Sequence, residues 1–157
     1  MKNLNNIFLS LGSNIDNREN NLSEAVVRLQ NYLTIVNISS LYESEPLLYE
    51  NQGNFLNMMI EVKFDGTPHE LLKKIKNIEI EMGRVKNFRF GPRNIDIDII
   101  FFRNEAIDTH DLKIPHYDWE NRLFVIAPLC EILNIKVDKN LYNISNQKVK
   151  NIGKIEL

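Results

Sequence analysis

The chemically densest stretch of the sequence runs Arg84-Val-Lys86-Asn-Phe-Arg89-Phe90-Gly91-Pro92-Arg93-Asn-Ile-Asp96-Ile-Asp98, a cationic segment that leads directly into two acids. In a strand, residues two apart point the same way and lie about 6.6 Å apart, so Asp96 and Asp98 can reach toward one point. Two carboxylates converging in an otherwise Ile/Phe strand repel each other and lose hydration unless a cation sits between them. An all-oxygen donor set favours a hard ion, Mg²⁺ above all, which takes its remaining ligands from water and phosphate oxygens. That implies a nucleotide. Arg84, Lys86, Arg89 and Arg93 fit the same reading, because they can neutralise a polyphosphate and the charge that develops as a phosphoryl group moves.

Other routes lack residues. There is no phosphate-cradling Gly-x-x-x-x-Gly-Lys-Ser/Thr stretch, and Gly12-Ser13-Asn14 is no dinucleotide fingerprint. Cys130 sits among apolar residues and reads as a buried structural thiol. Phe55 and Asn57, two apart, combine an aromatic ring with a primary amide, a pairing that can stack on a flat heterocycle and bond its edge. Pro115-His116-Tyr117-Asp118, followed by Arg122 and Phe124, offers a histidine for phosphate or ribose and a second stacking ring. His69 and His110 read as merely exposed.

These residues need elements to position them. Ile7 to Leu11 reads as a strand closed by a turn at Gly12-Ser13-Asn14. Leu22, Ala25, Val26, Leu29 and Leu33 fall at helical spacing. Thr34–Tyr42 and Asn54–Phe64 alternate as strands, the second placing Leu56, Met58, Ile60, Val62 and Phe64 on one side and Phe55 and Asn57 on the other. Glu43 to Gly53 is a mobile surface loop. Thr67-Pro68-His69-Glu70 is a helix start with a capping hydroxyl, a proline at the first position and an acid for a capping box. Leu71, Leu72, Ile75, Ile78 and Met82 form that helix's buried stripe, and Gly83 ends it. In the strand Ile95–Phe102, Ile95, Ile97, Ile99 and Phe101 share one face, and Asp96, Asp98, Ile100 and Phe102 the other. Glu105 to Pro115 suggests a short hairpin, Leu123 to Leu133 is loosely helical around Pro128, and the tail from Asn134 is weakly patterned.

The order strand, helix, strand, strand, helix, strand is the split βαβ arrangement, an α+β fold with a mainly antiparallel sheet. With 157 residues, 43% hydrophobic and 25% charged, the chain has the composition of one globular domain, spanning 1–157. A net charge of -2 offers no field for coating nucleic acid or an anionic membrane. The single cysteine and the absence of a secretory signal or long apolar run suggest the cytoplasm. The fold alone does not decide function. A different Mg²⁺-dependent nucleotide-transfer enzyme and a non-catalytic ferredoxin-like binding module are the alternatives.

The chain resembles the 6-hydroxymethyl-7,8-dihydropterin pyrophosphokinase family from about Ile7 to Leu133. The signature is Arg89-Phe-Gly-Pro-Arg93-Asn-Ile-Asp96-Ile-Asp98-Ile-Ile100, supported by Leu9-Ser-Leu-Gly-Ser-Asn14, Ser40-Leu-Tyr42, Phe55-Leu-Asn57, Glu79 through Arg84, Pro115-His-Tyr-Asp118, and Asn121-Arg122 with Phe124. The resemblance implies a ferredoxin-like βαββαβ core in a three-layer α-β-α sandwich. It also implies transfer of the β,γ-pyrophosphoryl unit of ATP to the pterin hydroxymethyl oxygen in folate biosynthesis, with release of AMP. By that likeness Asp96 and Asp98 hold two Mg²⁺ ions, and Arg84 and Arg93 stabilise the transferring charge. Phe55 and Phe124 sandwich the pterin, whose edge is read by Asn57 and by backbone near Ser44 and Leu47. ATP lies along Glu79, Lys86, Arg89, Ile99, Lys113, His116, Tyr117 and Arg122. The loops 43–53 and 84–94 close over the site to exclude water. Asp111 stands where some members carry a triphosphate-binding arginine, with Lys113 near enough to compensate. The partners implied are ATP and a reduced pterin, bound by a monomer.

Overall fold

The computed structural model describes residues 6–45, 53–83 and 94–157. Its core is a six-stranded antiparallel sheet. β1 (Ile7–Ser13) lies at the centre between β4 (Phe55–Lys63) and β5 (Asp96–Phe102), and β4 pairs in turn with β2 (Thr34–Ile38) and β3 (Tyr42–Ser44). α1 (Arg18–Leu29) crosses from β1 to β2 and α2 (Pro68–Glu81) from β4 to β5. Both pack on one face, and α3 (Leu123–Leu133) covers the other, giving three layers. The ferredoxin-like α+β expectation is met, and the remaining elements are a small hairpin, β6 (Ile107–Asp108) and β7 (Lys113–Ile114), and a terminal strand, β8 (Val149–Asn151).

Alternation along the strands divides the chemistry from the main core. Leu9 and Leu11 of β1, Leu56, Met58, Ile60 and Val62 of β4, and Ile97 and Ile99 of β5 are buried against α1 and α2 with Leu22, Val26, Leu71 and Ile75. The opposite face carries Phe8 and Met59 against Val125 and Leu129 of α3. Both helix starts form as their sequences direct: Asn17 caps α1 and Thr67 caps α2, with Pro68 in the first turn, and Gly83 (φ +80°) follows α2 in the left-handed region that favours glycine.

Five expectations need correction. Gly12 and Ser13 are not a turn but the last residues of β1, paired with Asn57 and Leu56. The strand expected over Thr34–Tyr42 is broken at 39–41. Opposite β4, Ile38 aligns with Ile60 but Tyr42 with Asn57, so the broken strand carries one extra residue. In β5 the register against β1 shifts between Ile99 and Phe101, and this bulge turns Phe101 toward Phe8 and Trp119 on the α3 side while Phe102 joins the α1/α2 core. The tail supplies β8, which pairs with β3, and beyond it the Leu41 N–H donates to the Gly153 carbonyl at 2.7 Å while the Leu41 carbonyl accepts the Ile152 N–H at 2.9 Å. His69 is no idle surface group, since its Nε2 lies 3.1 Å from Asp111 and ties α2 to the β6–β7 hairpin. Cys130 is buried, as its surroundings predict. No helix among the described residues is long and apolar enough to cross a membrane. The loop expected over 43–53 lies outside the described residues at 46–52, and that over 84–94 at 84–93.

Candidate active site

β5 is an edge strand, so alternate backbone N–H groups face away from β1. Glu79, buried on α2, accepts the Ile97 N–H at 3.0 Å and so fixes the residue between the two acids. Across the sheet Asp96 stands opposite Gly12, and Asp98 opposite Ser10. Gly12 in turn faces Asn57, and Asn57 faces Tyr42, so one row runs from the acids across the α3 face of the sheet. Gly12 is required by this row. A Cβ there would lie 2.8 Å from Asn57 Oδ1, so any side chain would displace the amide.

The electrostatics of the acid pair are strained. Burial pushes the Asp98 carboxyl up to about 7, the negative charge of Asp96 and then of Glu79 adds to this, and Arg122 and Lys76 offset only part. The two Asp side chains are oxygen donors whose charges act on one another, a donor set that suits a hard divalent cation. Among the described residues no third His, Cys, Asp or Glu joins them as a ready-made cage, which is the open arrangement magnesium uses when it keeps water and phosphate ligands.

The segment before α3 forms a second wall. The His116 backbone N–H bonds the Ile100 carbonyl at the β5 bulge (2.9 Å), which brings the ring to the acids. His116 Nδ1 accepts the Asp118 N–H at 3.1 Å, so the ring's proton sits on Nε2. Burial and then the neighbouring Arg122 guanidinium push its pKa down to about 4, against the pull of Asp118 and Asp96, leaving His116 a neutral donor at pH 7. Arg122 bonds Asp118 Oδ2 through Nε at 3.1 Å and lies over the rings of Tyr117 and Phe124, at 5.9 and 5.7 Å. Burial raises Asp118, but bonds from Asn121 and Arg122 outweigh it and hold the carboxyl below its ordinary range.

At the other end of the row, the Asn57 amide, only 3% exposed, donates to Ser44 Oγ at 2.8 Å. Phe55 is the register partner of Ser44, and its ring is 3.6 Å from where a Gly12 Cβ would be. A cleft of about 730 Å³ opens beside these residues, lined by Ser44, Asn54, Phe124, Gln147, Lys148 and Lys150 among others. That volume is in the range of small-molecule sites.

The structure therefore brings Asp96, Asp98, His116 and Arg122 to one end, and Ser44, Phe55 and Asn57 to the other, with Phe124 at the cleft. It does not bring all the expected residues there. The Ile99 side chain is buried on the α1/α2 face, so only its backbone is left at the strand edge. The Glu79 carboxylate is engaged beneath β5. Lys113 pairs with Asp108, and Asp111 pairs with His69 of α2. Tyr117 is 72% exposed and stacks on His116 at 4.8 Å. Leu47, Arg84, Lys86, Arg89 and Arg93 lie outside the described residues. Gly12, Ser10 and Asp118 were missed as site residues. The signal for Gly12 was available, because a glycine closing an apolar strand marks close approach as well as a turn.

Residues 8–134 match the family described as 7,8-dihydro-6-hydroxymethylpterin-pyrophosphokinase (HPPK). The chain is 46% identical over 132 residues to the Bacillus subtilis 2-amino-4-hydroxy-6-hydroxymethyldihydropteridine pyrophosphokinase, covering 82% of this chain and 79% of that one. It is 46% identical over 126 residues to the Aquifex aeolicus protein of the same name, covering 80% and 79%. Among solved structures it is similar to wild-type Plasmodium falciparum HPPK-DHPS with SDX-DHP, with a TM-score of 0.62 and 20% identity, over 90% of this chain and 42% of that one. This last likeness bears on the fold alone.

Proposed function

The chain belongs to the 7,8-dihydro-6-hydroxymethylpterin-pyrophosphokinase family, and from that premise we propose how its residues carry the transfer of pyrophosphate from ATP to the hydroxymethyl group of 6-hydroxymethyl-7,8-dihydropterin. The observation that carries the reading is the acid pair at the end of β5, where burial and then the charge of Asp96 raise Asp98, set beside the His116–Arg122 wall. In the reaction the pterin hydroxymethyl oxygen bonds the β-phosphorus, the bond from that phosphorus to the oxygen of the α-phosphate breaks, the hydroxyl proton is lost, and AMP leaves. Such a step is limited by charge and alignment.

Asp96 and Asp98 would hold two Mg²⁺ ions, which when bound neutralise phosphate oxygens and lower the barrier to attack. His116, neutral and with its proton on Nε2, donates to a nucleotide oxygen without adding a charge. Arg122, oriented by Asp118, supplies a fixed cation beside the nucleotide, with Tyr117 next to it. Arg84 and Arg93 stabilise the charge on the transferring unit, and Lys86, Arg89 and Lys113 contribute to the phosphate field. The outward backbone of Ile99 is left to bond the flat base of ATP, and Glu79 acts by holding that strand edge in place. Phe55 and Phe124 sandwich the pterin, and Asn57, Ser44 and Leu47 read its edge; the bond between Asn57 and Ser44 holds the amide ready before substrate arrives. The enzyme acts as a cytoplasmic monomer of one domain, on small molecules and on neither nucleic acid nor membrane.

Product analysis tests the reading. Incubation with ATP, Mg²⁺ and 6-hydroxymethyl-7,8-dihydropterin yields AMP and a diphosphorylated pterin in equal amounts. Release of ADP or inorganic pyrophosphate, or no turnover at all, contradicts it.

A further inference from the structure

Helix α3 begins without a cap of its own. Arg122 stands at its N-cap position and makes no capping bond, yet this is the junction that carries Phe124 to the cleft and Arg122 to the acids. The cap comes from 24 residues downstream. The Gln147 amide oxygen accepts the Leu123 N–H at 2.9 Å, and its amide nitrogen donates to the Asn121 carbonyl at 2.6 Å. One side chain thus satisfies the last carbonyl of the preceding 3-10 turn (Trp119–Asn121) and the first N–H of α3. The segment bearing Gln147 is itself anchored at both ends. Ile144, buried against Leu123 and Ile126, accepts the Gln147 N–H at 3.0 Å, and Val149 pairs with Ser44 as β8 joins β3. The segment therefore spans the cleft from the Phe124 side to the Ser44 side and lines it with Gln147, Lys148 and Lys150. It lies beyond residue 134, where the family match ends.

We propose that Gln147 is a positioning residue for substrate binding: by bridging the Asn121 carbonyl and the Leu123 N–H it sets the approach of Phe124 and Arg122, and with β8 it holds the two walls of the pterin cleft at a fixed separation. This rests on the reading of the cleft as the pterin site. A mainly structural cap would affect melting alone. A positioning cap acts on binding at temperatures where the fold is intact, because a ring a fraction of an ångström out of place no longer stacks on a rigid heterocycle.

The test uses the full chain and the intrinsic fluorescence of 6-hydroxymethylpterin as the binding readout, well below the melting temperature. Gln147→Leu, of similar size but without bonds, is expected to weaken binding about 5- to 10-fold and to raise the pterin KM with less effect on kcat. Gln147→Glu keeps the acceptor for the Leu123 N–H at a helix N-terminus that favours negative charge but cannot donate to the Asn121 carbonyl, and is expected to recover only part of the binding lost in Gln147→Leu. Thr67→Ala, which removes the cap of α2, controls for loss of stability and leaves pterin binding unchanged. Equal binding by Gln147→Leu and the parent, no recovery in Gln147→Glu, or the same weakening in Thr67→Ala overturns the proposal. Failure of the parent itself to bind the pterin instead overturns the reading of the cleft, so the two are distinguishable.

Discussion

Two carboxylates on the α3 side of the sheet have opposite fates. Glu131, near the end of α3, is surrounded by donors. It accepts the Ser40 N–H at 3.0 and 3.1 Å, the Ser40 hydroxyl at 3.1 Å, the Tyr42 hydroxyl at 2.7 Å and the Lys154 ammonium at 3.1 Å. Burial raises its pKa, but the bonds from Tyr42, Lys154 and Ser40 outweigh burial and hold it below its ordinary value. Asp98 has a second acid for a neighbour and is pushed up to about 7. The same chemical group is satisfied at one place and frustrated at the other. A satisfied carboxylate stabilises the fold, whereas a frustrated one stores the affinity for whatever cation completes it. The contrast separates a joint, which ties β3 to α3, from a site.

The largest expected effect sharpens this division. Asp98→Ala lowers kcat/KM by about 10³-fold or more, the scale seen when a group stabilising transition-state charge is removed. Its far-UV circular dichroism stays that of the parent. Glu131→Gln keeps most of the activity below its melting temperature. Equal losses in the two variants break the comparison. Next in size is stability. Glu131→Ala leaves the Tyr42 hydroxyl and the Ser40 donors without their acceptor and costs about 2–3 kcal/mol in urea unfolding. Asp98→Asn, which removes one of two repelling charges, gains about 1 kcal/mol in magnesium-free buffer at pH 8. A loss there shows that the pair is structural.

The smallest effect is in the pH dependence, and the two acids give it opposite signs. The folded pKa of Asp98 is raised from 3.8 to about 7, so the native state binds the extra proton. Its contribution is present below about pH 4 and is lost as pH rises toward 7. The folded pKa of Glu131 is lowered from 4.5, so its contribution is present above that value and is lost as pH falls below it. Melting temperatures of the magnesium-free parent minus those of Asp98→Asn fall between pH 4 and 7. The parent minus Glu131→Gln difference falls only on acidification below about pH 4.5. Parallel curves contradict the assignment.

What could be read in the sequence was what local periodicity encodes. The two faces of β4 put Met58 and Ile60 in the core and Phe55 and Asn57 on the other face beside Gly12, and the Thr67-Pro68 start of α2 follows from capping chemistry alone. Asp96 and Asp98 were legible because a period of two places them together whatever surrounds the strand. The bulge at Ile100 was not, since it exists only in the register between β5 and β1, and it reversed the assignment of Phe101 and Phe102. The bond from the Ile97 N–H to Glu79 was not legible, because it joins α2 to β5 across 18 residues and exists only in the folded chain. The ion pairs of Lys113 with Asp108 and of Asp111 with His69 were not legible either, because His69 lies 42 residues from its partner in sequence. The cap from Gln147 and the strand β8 are contacts across large sequence separations in a segment without hydrophobic period, where pattern carries no information.

On the proposed reading, the β5 acids take up divalent cation so that a triphosphate can bind. Calorimetric titration of the parent at pH 7 with a nonhydrolysable ATP analogue, with and without Mg²⁺ and in two buffers of different ionisation enthalpy, tests it most directly. Binding is expected to require Mg²⁺ and to release protons as Asp98, raised by burial and by Asp96, ionises on taking up the cation; in Asp98→Asn the Mg²⁺-dependent binding and that proton release are lost. Tight analogue binding without Mg²⁺, or the same heat and no proton release in the parent as in the variant, would contradict it.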